Sequence, residues 1–540
     1  MRMDKFVLLR DNSGIIQLVF DVDKFSAPLE SCLSIEGTVL ARPADMVNSK
    51  LTTGEVEVHV DKINCLNAAI PQLPFYIKPY NTAKESLRLK HRYLDLRHPW
   101  LQNNLKIRSD LMLKMRTFLQ DQGFLDIETP TLFRRTPGGA QEFVVPSHVE
   151  EHFYSLVQSP QQFKQLLMVG GVEKYYQIAR YYTTIPKDYK NILAFYRCYR
   201  DEGSRPDRQP EFTQVDIELS FTTSAQIQCL IETLLKEVWP SSTCLDHPAP
   251  FPKLAYQECM AKYGSDKPDL RITNEIQDLQ DNIKMMAFKN DEIQKMSKTA
   301  ARKLVKEYAS ESENCQLVLC TKDINGNIQT SAKHLFSEKT LSKIRCCDFD
   351  LAFIAMGDNE LDVQEMLGKL RTLIIDLYMD LPPDLLKFLW VIDFPLFLSS
   401  EENTLESAHH PFTRPLDEDL HLIKTNPEAV RGQHYDLVLN GQEIGGGSMR
   451  IHESELQKYI LEDILKVDTT DLTHMLEALT FGCPPHGGIA LGLDRLVAII
   501  CKAKSIRDVI AFPKTSNGKD LMSGSPAAIS DQDKSYYHLK

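Results

Sequence analysis

The sequence predicts an α+β fold, and three observations carry that prediction. Residues 5 to 60 alternate apolar and polar side chains through KFVLL, IIQLVF, SIEGTVLAR and EVEVHV, which is the period of strands. Ile107, Leu111, Met115 and Phe118 recur at helical spacing, and Gly123 and a short strand ending at Pro130 follow them. Phe212, Gln214, Asp216 and Glu218 alternate again, placing every second side chain on one sheet face.

In chain order, residues 1–80 read as four short strands joined by turns such as Asp11-Asn12-Ser13-Gly14. The pattern suits most of a five-stranded OB-type β-barrel, a fold that offers one face to oligonucleotides, with its opening strand missing. Residues 81–100 are a linker carrying the basic stretch KESLRLKHRYLDLR, which reads as a local nucleic-acid contact or as a solvated helix face. Residues 101–272 and 386–540 read as two parts of one domain, split by an α/β insertion over 273–385. Helical and strand-like stretches mix in that insertion, which ends in LDVQEMLGKLRTLIIDLYMDL and Pro382-Pro383.

A chain of 540 residues with 43% hydrophobic content can bury several cores. A net charge of −12 excludes an indiscriminate nucleic-acid binder, so any such contact must be local. The 12 cysteines show no Cys-x-x-Cys spacing, and Cys346 and Cys347 are adjacent, which suggests neither zinc nor a disulfide framework and fits a reducing compartment. No apolar run approaches the roughly 18 residues of a membrane span, and the N-terminus has no signal-peptide core.

The densest chemistry lies in Cys198 to Phe221, CYRDEGSRPDRQPEFTQVDIELSF. Arg200, Glu202, Arg205 and Arg208 occupy a Gly/Ser/Pro-broken turn ahead of the Phe212 to Glu218 alternation. Guanidinium forks match phosphate oxygens, a phenyl ring can stack on a base, and carboxylates on the same face suit an ammonium group or a metal ion. Taken alone, the stretch also reads as a solvated charged hairpin.

This segment resembles motif 2 of the class II aminoacyl-tRNA synthetases. RTFLQDQGFLDIETP (116–130) resembles motif 1, and GIALGLDR (488–495) resembles motif 3. The surrounding strings resemble the aspartyl-tRNA synthetases of bacteria and mitochondria, and LVQSPQQFKQLLMVGG and RTPGGAQEF resemble the animal organellar forms. The resemblance implies a six- or seven-stranded antiparallel sheet flanked by helices, a homodimer through motif 1, and an anticodon-reading barrel. It further implies a ligase that joins L-aspartate to tRNA-Asp with ATP and Mg2+ in the mitochondrial matrix, bacterial cytoplasm being the alternative.

Site residues follow from the same resemblance. Arg200 would hold the α-phosphate of ATP and Glu202 would order the hairpin or contact the acceptor end, with Arg495 completing the catalytic set. Gln209, Phe212, His409, His410, Glu443 and Arg495 would contact ATP, and Asp436 and Glu443 would carry magnesium. Ser159, Gln161, Lys164, Asp216 and Arg450 would bind aspartate, Lys164 and Arg450 facing its side chain so that asparagine would leave two buried cations without partners. Phe6, Gln17, Arg42 and Arg205 would contact tRNA, with Glu55 a further anticodon candidate. Gly445, Gly446 and Gly447 would let backbone approach the substrate.

Two departures stand against the resemblance. Gly138 replaces a glutamate expected beside the substrate ammonium. Tyr181 to Arg197 intervene where the strand YYQIAR should run directly into CYRDE, and Pro186 makes a continued central strand unfavourable. A catalytically impaired splice form or paralogue that binds tRNA or dimerises is therefore the alternative to an active ligase.

Overall fold

The computed structural model describes residues 2–3, 6–20, 27–78, 83–134, 142–157, 159–182, 209–240, 250–309, 314–323, 325–382, 384–399 and 404–539. Gly138, Arg200, Glu202, Arg205 and most of the 181–197 insert lie outside them. The chain divides into two compact units, residues 1–106 with 511–515 and 519–526, and residues 107–510 with 516–518 and 527–540.

In the first unit, strands Phe6–Arg10, Ile15–Val19, Cys32–Ala41 and Val56–Asn67 form where the alternation places them. A two-residue strand, Arg2–Met3, pairs with Phe6–Arg10 and completes a five-stranded sheet. That piece, two residues long, is too short to leave a periodic signal. Arg42 donates from Nε to the Val56 carbonyl at 3.1 Å, and Gln17 donates to Glu57 at 3.1 Å. Glu57 also lies 3.6 Å from Arg42, so Glu57, rather than Glu55, ties the two candidate side chains together. Phe6 is exposed. Its partner Val19 and the Leu8–Gln17 pair put Phe6 and Gln17 on one face.

The second unit is built around an eight-stranded sheet and the part of a long helix from Ile107 onward. Helix α1, Pro99–Asp121, buries Leu111, Met115 and Leu119 and stops at Gly123, whose φ of +80° is open to glycine at low cost. The sheet comprises β1 (Leu125–Asp126), β2 (Lys174–Tyr182), β3 (Glu211–Ser220), β4 (Lys253–Ala255), β5 (Phe388–Ile392), β6 (His434–Leu439), β7 (Gln442–Met449) and β8 (His486–Gly492). Its order is β4-β5-β6-β7-β8-β3-β2-β1. The six inner strands are antiparallel, whereas β1 and β4 pair parallel with their neighbours, so the sheet has eight strands where six or seven were expected. The additions are edge pieces of two and three residues, below the length at which alternation can be read.

Residues 276–357 contribute a separate antiparallel sheet of five strands. Apolar clusters cover both of its faces, one around Met286, Phe353 and Leu367 and the other around Met285, Ile344 and Ile354. Helix Glu360–Tyr378 returns the chain from this sheet toward β5.

Candidate active site

On β3, burial separates the two faces as the alternation requires. Val215 and Ile217 enter the main core, while Asp216 and Glu218 are buried on the other face. Pairing with β2 runs without a shift from Lys174 opposite Leu219 to Tyr182 opposite Glu211. The inserted segment therefore begins in register, Tyr181 and Tyr182 continuing the strand, and the parity of Phe212 to Glu218 is undisturbed.

Two buried ion pairs form the floor of the site. Helix α2, Gln161–Val169, delivers Lys164, whose ammonium donates to Asp216, both side chains being almost wholly buried. Arg450, just past β7, donates from Nε to Glu218 at 3.0 Å and from a terminal nitrogen to Ser448 Oγ at 2.7 Å. The second oxygen of Glu218 and the side-chain nitrogen of Gln161 are buried without a hydrogen-bond partner. Burial pushes the Asp216 carboxyl above its ordinary range, and the Lys164 charge opposes that shift. Ser159 is exposed at the entrance to α2. Each cation thus already has a resident carboxylate, which corrects the expectation that asparagine would leave both without partners.

A second cluster lies on β6 and β7. The register between them shifts at Leu437/Val438, where Val438 pairs with Glu443 and Leu437 with Gly445, leaving Ile444 as the extra residue. This bulge reverses parity and brings Glu443 to the face of Asp436, which plain strand counting could not do. A Cβ built on Gly446 would lie 2.6 Å from Asp436 Oδ1 and 3.5 Å from Glu443 Oε1, so the two carboxylates flank the space above that glycine. Gly445 and Gly447 have a different use. A Cβ on the first would meet Leu491 at 2.6 Å and on the second the Gly488 carbonyl at 2.1 Å, so they permit strand packing, and Gly446 alone of the three opens to the carboxylates.

The histidines are not lone surface groups. His409 stacks on His434 with ring centroids 3.5 Å apart, and His434 Nε2 lies 2.8 Å from Asp436 Oδ1. Burial is the main cause that pushes His409, His410 and His434 each down to about 3, and Arg450 and Lys164 add to it at His410. All three are therefore neutral at physiological pH. Burial, followed by the adjacent Glu443 charge, raises Asp436 to about 7.

Helix α3, Leu493–Ile500, begins directly after β8 and carries Arg495 in its first turn. Arg495 donates to the Glu443 carbonyl at 2.8 Å. Its neighbour Asp494 accepts from the Thr213 amide at 2.8 Å and pairs with Arg108 of α1, which also donates to Thr213 Oγ1 at 3.0 Å. One guanidinium therefore holds the residues next to both Phe212 and Arg495. Arg108→Met is expected to cost about 3 kcal/mol, as a broken, largely buried pair does. It should also raise the KM for ATP more than that for aspartate. Melting curves and steady-state kinetics check this, and equal rises in both KM values would leave Arg108 a purely structural role. Arg108, Lys267 and His434 were not among the residues singled out from sequence, whereas Glu218 was named there only for its place in the β3 alternation.

Comparison with known proteins agrees with this architecture. The family described as tRNA synthetases class II (D, K and N) matches residues 84–184 and 185–516. The human mitochondrial aspartate–tRNA ligase is 45% identical over 579 residues, covering 100% of this chain and 86% of the relative. An aspartate–tRNA(Asp/Asn) ligase of Opitutus terrae is 40% identical over 574 residues, covering 99% of this chain and 93% of the relative. Among solved structures, asparaginyl-tRNA synthetase of Pyrococcus horikoshii with asparaginyl-adenylate superposes with TM-score 0.57 at 18% identity, covering 95% of this chain and 92% of that one. Aspartyl tRNA synthetase of Entamoeba histolytica gives TM-score 0.54 at 19% identity, covering 94% and 85%. At those identities the structural matches speak for the fold. With this fold, these paired charges and full-length similarity to aspartate–tRNA ligases, the chain belongs to the class II tRNA synthetases of the D, K and N group, and within it to the aspartate–tRNA ligases.

Proposed function

We propose that this chain activates L-aspartate with ATP and transfers the aspartyl group to the 3′ end of tRNA-Asp in mitochondrial translation. The observation that carries the reading is the pair of buried salt bridges, Lys164–Asp216 and Arg450–Glu218, on the polar face of the antiparallel sheet. An amino acid with a carboxylate side chain offers an anion to Lys164 and Arg450 and an ammonium group to Asp216. The α-carboxylate, already ionised at neutral pH, attacks the α-phosphate of ATP. A carboxylate oxygen–phosphorus bond forms, the bridge to the β-phosphate breaks, and pyrophosphate leaves. No general base is required, so positioning and charge neutralisation dominate. A terminal ribose hydroxyl of the tRNA then takes the aspartyl group, and AMP leaves.

Phe212 and Arg495 would hold adenine from opposite sides, with Gln209, His409 and His410 around the phosphates. Asp436 and Glu443 would hold magnesium, since two convergent carboxylates over an open glycine supply the hard oxygen donors this ion takes. When bound, the ion would supply Lewis-acid charge at the phosphates. Arg200 and Glu202 are assigned to the α-phosphate and to hairpin order from sequence resemblance alone. Phe6, Gln17 and Arg42 are proposed to read the anticodon, and Arg205 to contact tRNA near the acceptor end. A homodimer through the motif 1 region is proposed, to which the exposed Leu113 and Leu125 would contribute apolar contacts. Among the described residues no helix is long and apolar enough to cross a membrane.

Aspartate-dependent exchange of labelled pyrophosphate into ATP, followed by aminoacylation of mitochondrial tRNA-Asp, tests the reading. No exchange would overturn it. The insert after Arg180 favours a second reading, a catalytically impaired form that binds tRNA or dimerises. If the intact chain is silent but a chain lacking residues 181–197 is active, the second reading holds. In that shortened chain Cys198 and Tyr199 would take the strand positions of Tyr181 and Tyr182, followed directly by Arg200.

A further inference from the structure

We infer that Lys267 is a binding residue for the polyphosphate of ATP and for the pyrophosphate the reaction releases, delivered by the segment that leads from the catalytic sheet to the second sheet. Its ammonium lies 2.7 Å from Asp266 Oδ2 and 3.3 Å from Glu443 Oε2, with 12% of the side chain exposed. Lys267 is thus the cation paired with one of the two carboxylates that flank Gly446.

The segment around it is held on both sides. Gly264, at φ +63°, meets the helix Glu360–Tyr378 so closely that a Cβ on Gly368 would lie 1.9 Å from the Gly264 carbonyl oxygen. From the same helix, Arg371 donates to the carbonyls of Asp269 at 3.0 Å, Ile272 at 2.9 Å and Asn274 at 3.2 Å. On the opposite side, a Cβ on Gly441, in the turn between β6 and β7, would lie 3.3 Å from Asp269 Cβ. Lys267 is therefore fixed relative to the hairpin that carries Asp436 and Glu443. Its charge acts on the same groups, lowering His409, His434 and Asp436.

An ammonium and a divalent cation are competitors for one carboxylate. Without nucleotide, Lys267 neutralises Glu443. With a nucleotide and its cation in place, Glu443 turns to the divalent charge, and the released ammonium sits beside the phosphate oxygens that arrived with it. The site then holds a cation beside Glu443 in both states, and Lys267 contacts only ligands that extend beyond the α-phosphate.

The inference rests on the ligase reading, and the experiment separates the two. With the full-length chain, Lys267→Met should bind ATP and pyrophosphate about tenfold more weakly, roughly the loss of one charge-assisted contact. AMP affinity and the KM for aspartate should be unchanged. In nucleotide-free protein the same variant should bind Mn2+ more tightly by paramagnetic resonance, because the competing ammonium is gone. Lys267→Arg should recover most of the ATP affinity. Equal weakening of AMP and ATP, or Mn2+ affinity unchanged or lowered, would overturn the role. Absence of aspartate-dependent exchange in the parent protein would count against the ligase reading alone, since ATP, pyrophosphate and Mn2+ binding are measured without turnover. A melting curve of each variant identifies loss through misfolding, and Lys267→Arg then serves as the folded comparison.

Discussion

Lys164→Met is expected to destabilise the protein by about 3 to 5 kcal/mol and to abolish aspartate-dependent pyrophosphate exchange. The stability loss follows from what remains behind. Asp216 is almost fully buried and Lys164 is the cation that donates to it. Removing one partner of such a pair leaves a desolvated charge, which costs far more than the net value of the pair. The Asp216 carboxyl is already raised by burial, and without Lys164 it rises further and takes up a proton. Its folded form then binds more protons than the unfolded chain, so the variant's stability should fall as pH rises from about 4, the unfolded carboxyl range, toward the raised folded value.

The stability and activity effects can be separated. Lys164→Met combined with Asp216→Leu removes both charges and replaces them with apolar groups of similar shape, a change that is often nearly neutral for folding. The double variant should regain most of the lost stability yet remain inactive with aspartate, because only Arg450 is left to face the substrate carboxylate and the Asp216 partner of the ammonium group is gone as well. Urea unfolding and exchange assays on the cycle test this. Restored exchange in the double variant would show that Lys164 acts only by holding Asp216.

The fold was legible where a pattern extends over several residues. The α1 stripe of Ile107, Leu111, Met115 and Phe118 and the β3 alternation both repeat a period long enough to read. The edge strands β1 and β4 do not, being two and three residues long. In the site, local sequence indicated which β3 residues share a face but not which cations meet them. Lys164 lies 52 residues from Asp216, and Arg450 lies 232 from Glu218, so only tertiary packing joins them. Asp436 and Glu443 converge through a bulge at Ile444 that no sequence signal marks, and strand parity alone would have placed them on opposite faces. Lys267 was hidden for a related reason. A lysine between aspartate and proline reads as ordinary loop charge, and its nearest partner across the site, Glu443, belongs to a hairpin far along the chain.

Three glycines on the central sheet should give three graded outcomes when changed to alanine, because each faces a different kind of neighbour. At Gly488 a Cβ would lie 2.1 Å from both the Ile217 carbonyl and Glu218 Oε2. The first is backbone of the adjacent strand and cannot move without parting β3 from β8, so Gly488→Ala should lose well over about 3 kcal/mol and fail to accumulate as folded protein. At Gly446 the nearest atom is Asp436 Oδ1 at 2.6 Å, the end of a side chain that can swing. Gly446→Ala should therefore melt within about 1 kcal/mol of the parent, the scale of a tolerated change. Its new methyl fills the space between Asp436 and Glu443, and exchange should drop on the order of 10², the scale of a small misplacement of reacting groups. At Gly492 the nearest atom, the Ile444 carbonyl, is 3.7 Å away, and φ is −72° at the start of α3. Gly492→Ala meets only ordinary contact there and should cost a few tenths to about 1 kcal/mol as a capping change, with exchange preserved. Melting and exchange measured together separate the three. Full exchange in Gly446→Ala would mean that the two carboxylates serve the sheet and not the nucleotide, whereas a folded, stable Gly488→Ala would mean that β3 and β8 can separate without loss of the Arg450–Glu218 pair.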